Sequence, residues 1–115
     1  MARPTKLEGL VVNAWLAQHS PWERASDIST EGNPSHAAIA RTFKFPDFST
    51  ALGFVVRVGL AAEKADHHPD IELGWGRVRV VWTTHDAKGV TSLDLELADA
   101  SDKIFASMSS ESSGA

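Results

Sequence analysis

The chain has 115 residues, 43% of them apolar, a formal charge of −4 and no cysteine. That length suits one compact domain with a modest core, and the missing cysteines exclude a disulfide framework and a thiolate nucleophile. No block of Lys and Arg is present, which argues against direct DNA or RNA binding. The most apolar window, residues 52–62, carries Arg57 and falls short of the roughly 20 apolar residues a bilayer span needs. Residues 1–10 lack the apolar stretch of a signal peptide, so a cytoplasmic location is expected.

Residues 4–18 read as an opening amphipathic helix, because Leu7, Leu10, Val11, Ala14 and Trp15 recur at helical spacing. Pro4 suits a first turn, and Ser20-Pro21 ends the element. Residues 22–35 are polar, with a loop at Gly32-Asn33-Pro34 and only a weak strand signal around Trp22. Residues 39–45 alternate, with Ile39, Phe43 and Phe45 on one face, as a half-buried strand does. Pro46 stops that strand, and Asp47 or Ser49 is placed to cap the next helix.

Residues 48–64 are helical and apolar on two faces. Phe48, Leu52, Val55, Gly59 and Ala62 form one; Ala51, Phe54, Val58, Ala61 and Ala65 form the other. One sheet face cannot cover both. The pattern implies a second partner, most simply another copy in a dimer or tetramer through helix 48–64. Gly53 and Gly59 would let that partner's backbone approach closely despite their helix cost.

A turn at 66–70 comes next, then a short strand at 71–75 and a longer one at 77–84 with Val78, Val80 and Trp82 on one face. That shared face marks Trp82 as core rather than a stacking platform. After a turn at 86–89, Thr91-Ser92-Leu93-Asp94 matches a capping box with Asp in place of Glu. A last helix runs to about Phe105, with Leu93, Leu97, Ala100, Ile104 and Met108 on one stripe. Residues 1–106 form a single domain, and the Ser-rich residues 107–115 read as a disordered tail. The expected class is α+β: an antiparallel sheet of about four strands with helices packed on one face, in the order α-β-β-α-β-β-α.

Three of the five histidines gather at the ends of these elements. His67 and His68 come after the long helix, and His85 ends the longest strand. Histidine titrates nearest neutrality and suits two-way proton transfer. Glu63, Asp66 and Asp86 lie close enough to tune or orient the imidazoles. Two plainer readings compete: a polar surface turn, and a three-histidine metal site. Adjacent residues diverge on a strand or a helix, and no HExxH-type spacing supports a metal. From the residues alone the reading is a His-based acid–base site without a metal.

Two separated motifs go further. Glu63-Lys64-Ala65-Asp66-His67-His68-Pro69-Asp70 and Thr83-Thr84-His85-Asp86-Ala87-Lys88-Gly89-Val90-Thr91 with Asp94 resemble the pterin-4a-carbinolamine dehydratase family. That family shows A-E-x-x-D-H-H-P-[DE], then T-H-[DE] with a Gly turn, then an aspartate opening the last helix. Phe43-Lys44-Phe45-Pro46-Asp47-Phe48 is similar to its F-x-F-x-D-F junction. The resemblance covers residues 39–104. Trp75 stands where a Tyr is common, Gly76 where Asn is frequent, and Lys88 and Val90 vary within the Gly turn. Trp22 resembles an early family Trp, but residues 26–35 hold an apparent insertion that leaves its role open.

The resemblance implies a dehydratase acting on 4a-hydroxytetrahydropterin in tetrahydrobiopterin recycling. It implies His67 and His85 as acid–base groups and His68 as the residue that binds and orients the pterin. Glu63, Asp66, Pro69, Thr84, Asp86 and Asp94 would support substrate binding. No cofactor is implied, in keeping with the absence of GxGxxG and P-loop motifs. The family also includes binding modules, one a dimerisation partner of a homeodomain transcription factor and others Rubisco-assembly factors. The histidine set, which the assembly relatives tend to lose, favours the enzyme here.

Overall fold

The computed structural model describes residues 4–27 and 36–113. Three helices and four strands occur in the order α1 (Gly9–Gln18), β1 (Glu23–Asp27), β2 (His36–Lys44), α2 (Phe48–Ala65), β3 (Asp70–Gly74), β4 (Arg77–Trp82) and α3 (Ser92–Ser113). A single 3₁₀ turn, His85–Ala87, links β4 to α3. The strands form one antiparallel sheet in the order β1-β2-β4-β3. This is the expected α+β architecture. The loop and insertion expected between residues 28 and 35 lie outside the described residues.

The core lies between one sheet face and the helices. Ile39 and Phe43 of β2 and Val78, Val80 and Trp82 of β4 meet Ala51, Phe54, Val58 and Ala62 of α2 and Leu97 and Ala98 of α3. Complete burial of a side chain such as Phe54 contributes about 1.5–3 kcal/mol. A smaller apolar patch, Ala38, Ala40 and Val81, occupies the opposite face. Arg41 shares the inner face with Ile39 and Phe43. Its guanidinium sits 4.4 Å from the Phe43 ring centroid and bonds Asp102 of α3 at 2.7 Å. Both oxygens of Asp102 also accept from the Trp22 indole at 2.9 Å. The one charged residue on that strand face is thereby paired, and α3 is tied to β2.

Local chemistry explains the element ends. Asp47 caps α2 by accepting from the Thr50 N–H at 2.7 Å. That hydrogen bond, and after it the Thr50 side chain, hold the Asp47 carboxyl below the usual carboxylate range. At the other end Asp66 takes a left-handed conformation (φ 53°), and its N–H bonds the Ala62 and Glu63 carbonyls, which stops the helix. At the β3–β4 hairpin, a Cβ on Gly76 would lie 2.9 Å from the Phe45 carbonyl oxygen, so only glycine fits there.

Three expectations need correcting. The opening helix starts at Gly9, not Pro4, because Leu7 instead donates its N–H to the Val90 carbonyl at 2.8 Å. Its inward face is therefore Val12, Trp15 and Leu16, and Leu10 and Val11 are exposed. The strand expected to reach Thr84 ends at Trp82, although Thr84 still makes an isolated bridge with Gly89. The last helix continues to Ser113 rather than stopping near Phe105, and Met108 is buried in the core. Within the single chain, a Cβ on Gly53 would touch the Met108 methyl, and one on Gly59 would meet nothing.

Candidate active site

The left-handed turn at Asp66 sets the geometry of the two neighbouring histidines. His67 comes directly after it, with its N–H on the Ala62 carbonyl at 3.1 Å, and its imidazole turns inward. The ring lies nearly parallel to Trp82, with centroids 5.8 Å apart and an interplanar angle of 13°. Its Nε2 is 2.6 Å from Asp94 Oδ1, and only 12% of the side chain is exposed. His68 turns outward. Its Nε2 is 3.1 Å from Glu63 Oε1, and both side chains are largely exposed.

Asp94 is completely buried. Its Oδ2 accepts the Thr84 hydroxyl at 2.7 Å and the Thr91 N–H at 2.8 Å, the latter being the reciprocal half of a capping box. A carboxylate in the first turn of α3 is also favoured by the helix dipole. Thr84 and Thr91 share a further hydroxyl–hydroxyl bond of 2.9 Å. An ionised carboxylate only accepts, so in its bond to Asp94 His67 Nε2 is the donor.

His85 opens the 3₁₀ turn after β4. The turn is closed by Thr84 N–H to Gly89 carbonyl at 2.9 Å and by Lys88 in a left-handed conformation. His67, His68 and His85 line one open pocket of about 200 Å³ together with Asp66, Thr83, Thr84 and Asp86.

Asp66, Thr84 and Asp86 thus join the three histidines at the pocket wall, whereas Glu63, Pro69 and Asp94 do not line it. Glu63 touches His68, and Asp94 stands behind His67. Trp82 is core, with its indole N–H on the Ser101 hydroxyl at 3.2 Å, and it also forms the floor under His67. Trp22 lies in the core, away from the pocket wall. Thr83, which sequence reasoning did not single out as a site residue, joins the wall and donates its hydroxyl to the Ala37 carbonyl at 2.8 Å. Among the described residues, no group of three His, Cys, Asp or Glu side chains is arranged to hold a metal ion. Nor is any helix among them long and apolar enough to cross a membrane.

Residues 5–104 match the family model described as pterin 4 alpha carbinolamine dehydratase. The chain belongs to that family. A Chloroflexus aggregans protein that carries the provisional name pterin-4-alpha-carbinolamine dehydratase is 42% identical over 105 residues, 91% of this chain and 99% of its own. A Bradyrhizobium protein with the same provisional name is 58% identical over 71 residues, 62% of this chain and 72% of its own. Among solved structures, a transcriptional coactivator/pterin dehydratase from Brucella melitensis superposes with a TM-score of 0.75 at 38% identity, covering 87% of this chain and 98% of that one. A pterin dehydratase-like protein described as a RuBisCO assembly factor in the alpha-carboxysome shares the fold, at TM-score 0.57 and 17% identity over 76% of this chain and 92% of its own. Of the motif residues, Asp66, His67, His68, Thr83, Thr84, His85 and Asp86 line the pocket, and Glu63 and Asp94 bond to its histidines.

Proposed function

We propose that this chain converts 4a-hydroxytetrahydrobiopterin, a pterin 4a-carbinolamine, to quinonoid dihydropterin and water. The observation that carries this reading is the convergence of His67, His68 and His85 on one open pocket, with His67 held from behind by buried Asp94. The reaction is an elimination. Electrons of the adjacent ring nitrogen form a C=N bond as the C4a–O bond breaks, an acid protonates the departing hydroxyl, and a base removes the ring N–H proton. One water leaves and the oxidation level is unchanged.

His67 and His85 serve as the acid–base pair. His67 suits the role because Asp94 fixes its tautomer and orientation. Exposed His68, steadied by Glu63, orients the pterin. Asp66, Thr84 and Asp86 offer polar contacts at the wall, and Pro69 shapes the turn. The physiological setting is tetrahydrobiopterin recycling after aromatic amino-acid hydroxylation. Stopped-flow mixing with enzymatically generated 4a-hydroxytetrahydropterin tests the reading. Dehydration should exceed the spontaneous rate, and the excess should vanish in His67→Ala/His85→Ala; no acceleration by the wild type would sink the proposal.

Self-association belongs to the same reading. Phe48, Leu52, Val56 and Leu60 recur every fourth residue along α2 and are all exposed in the single chain. A continuous apolar stripe of this kind is suited to packing against its counterpart in a second copy. Light scattering at micromolar concentration should give a dimer or tetramer, reduced to monomer by Leu52→Glu/Leu60→Glu. A wild-type monomer would remove this part of the proposal.

A further inference from the structure

Asp94 does not hold His67 by itself. Two buried hydroxyls meet at its far side, Thr84 just before the 3₁₀ turn and Thr91 just before α3. The bridge between Thr84 and Gly89 folds the chain back on itself and brings Thr91 beside Thr84. The Thr84 Oγ1 lies 2.7 Å from Asp94 Oδ2 and 2.9 Å from the Thr91 Oγ1. The Thr91 Oγ1 is farther from that carboxylate oxygen, at 3.4 Å. Each hydroxyl has a single proton to give, and an ionised carboxylate has none. The Thr84 proton therefore goes to Asp94, and the Thr84 oxygen accepts the proton of Thr91. Protons are thus ordered from Thr91 to Thr84 to Asp94, and each bond polarises the next.

Asp94 Oδ2 also accepts the Thr91 N–H at 2.8 Å, which leaves Oδ1 for His67 Nε2, 2.6 Å away. A carboxylate with no exposed surface depends on such donors to stay in place. We propose that Thr84 and Thr91 are positioning residues, an ordered hydroxyl pair that fixes the Asp94 carboxylate and through it the orientation and tautomer of His67. Thr84 also lines the pocket, but its one hydroxyl proton is committed inward, so that hydroxyl meets a ligand only as an acceptor. The two side chains do not weigh equally. Thr84 reaches the carboxylate with its hydroxyl alone, whereas Thr91 also gives a backbone N–H that survives loss of its side chain.

The kinetic arm of the test rests on the dehydratase reading; the spectroscopic arm does not. The full chain is prepared as wild type, Thr84→Val, Thr84→Ser, Thr91→Val and Asp94→Asn, with His67→Gln to assign the His67 ring signals in long-range 1H–15N spectra. Spectra are taken at mildly alkaline pH, where an ordinary imidazole is neutral. The wild type should show the Nε2–H tautomer of His67, and Thr84→Val should move its signals toward the average of the two tautomers. Thr84→Val should also lower kcat about three- to tenfold with a smaller change in KM, and Thr91→Val should lower kcat about twofold. Thr84→Ser keeps the hydroxyl and should recover both readouts. In an Asp94→Asn background Thr84→Val should cost little more, because both act through one carboxylate. Thr84→Ala stands in for the valine variant should valine prevent folding. Unchanged His67 signals on loss of the Thr84 hydroxyl would overturn the proposal, as would a loss confined to KM or full additivity with Asp94→Asn. Should the wild type show no dehydratase activity, the His67 spectra still decide whether the hydroxyl pair positions that ring.

Discussion

His67 and His68 are neighbours in the chain and opposites in setting. One is held by a buried carboxylate and stacked on an indole, with 12% of its side chain exposed; the other stands in solvent beside an exposed glutamate, with 57% exposed. The left-handed Asp66 before them produces the split, because it ends α2 and delivers one ring to the interior and the other to the rim. Under the proposed reaction the contrast gives one dipeptide two different tasks. A fixed imidazole of defined tautomer is suited to moving protons, and a solvated one to meeting a ligand.

The sharpest test of this division is removal of the rings. His67→Ala and His85→Ala should each lower kcat about 10²–10⁴-fold with the fold intact by circular dichroism. Equal and small effects at all three histidines would erase the distinction between inner and outer rings. Next in size is Asp94→Asn, which keeps the shape but can present an N–H to His67 Nε2. A fall in kcat of about tenfold or more is expected, together with about 1–3 kcal/mol of lost stability from the hydrogen bonds to Thr84 and Thr91, read from urea titration. An unchanged kcat would show that the inner ring needs no orienting partner.

His68→Ala should act on the other side of the comparison. It should raise KM about two- to tenfold, as loss of one hydrogen bond does, with kcat little altered; a loss confined to kcat would move His68 into the proton-transfer group. The smallest effect is expected away from the site, at Asp47. Its carboxyl is held below the usual carboxylate range by Thr50, so the cap is fully present above the unfolded value of about 4 and is lost as pH falls through the lowered folded value. Thermal melts of Asp47→Ala should show a small drop in Tm at neutral pH that shrinks on acidification through that window.

Much of the fold was legible where the pattern is one-sided. β4 alternates cleanly, and Val78, Val80 and Trp82 turn inward together. α2 has its predicted buried side in Ala51, Phe54 and Val58, but its exposed apolar stripe is Phe48, Leu52, Val56 and Leu60, because Ala62 of the expected second side is buried and Val55 packs against the core. α1 was harder because it is apolar nearly all round, so spacing alone could not tell Leu10 from Val12. The hydrogen bond from Leu7 to Val90, between distant segments, decided where the helix starts. β1 is short and polar, and it forms because β2 offers it an edge.

The site divides similarly. The three histidines and their shared pocket could be anticipated from motif spacing, but Asp94 could not be placed behind His67, since 27 residues separate them. Thr83 lies inside the second motif, two residues before His85, but its bond to the Ala37 carbonyl comes from β2 lying beside β4 and left no local signal.

Thr84 has a consequence for what can enter. Its hydroxyl grips the carboxylate that holds His67, and its next residue is His85. His67 and His85 are therefore linked through one peptide unit, two short hydrogen bonds and a carboxylate. Such a link is stiff, and stretching it would strip partners from a buried charge. Under the proposed reaction this frame fixes the placing of His67 relative to His85, and a ligand that needs them farther apart would have to break it.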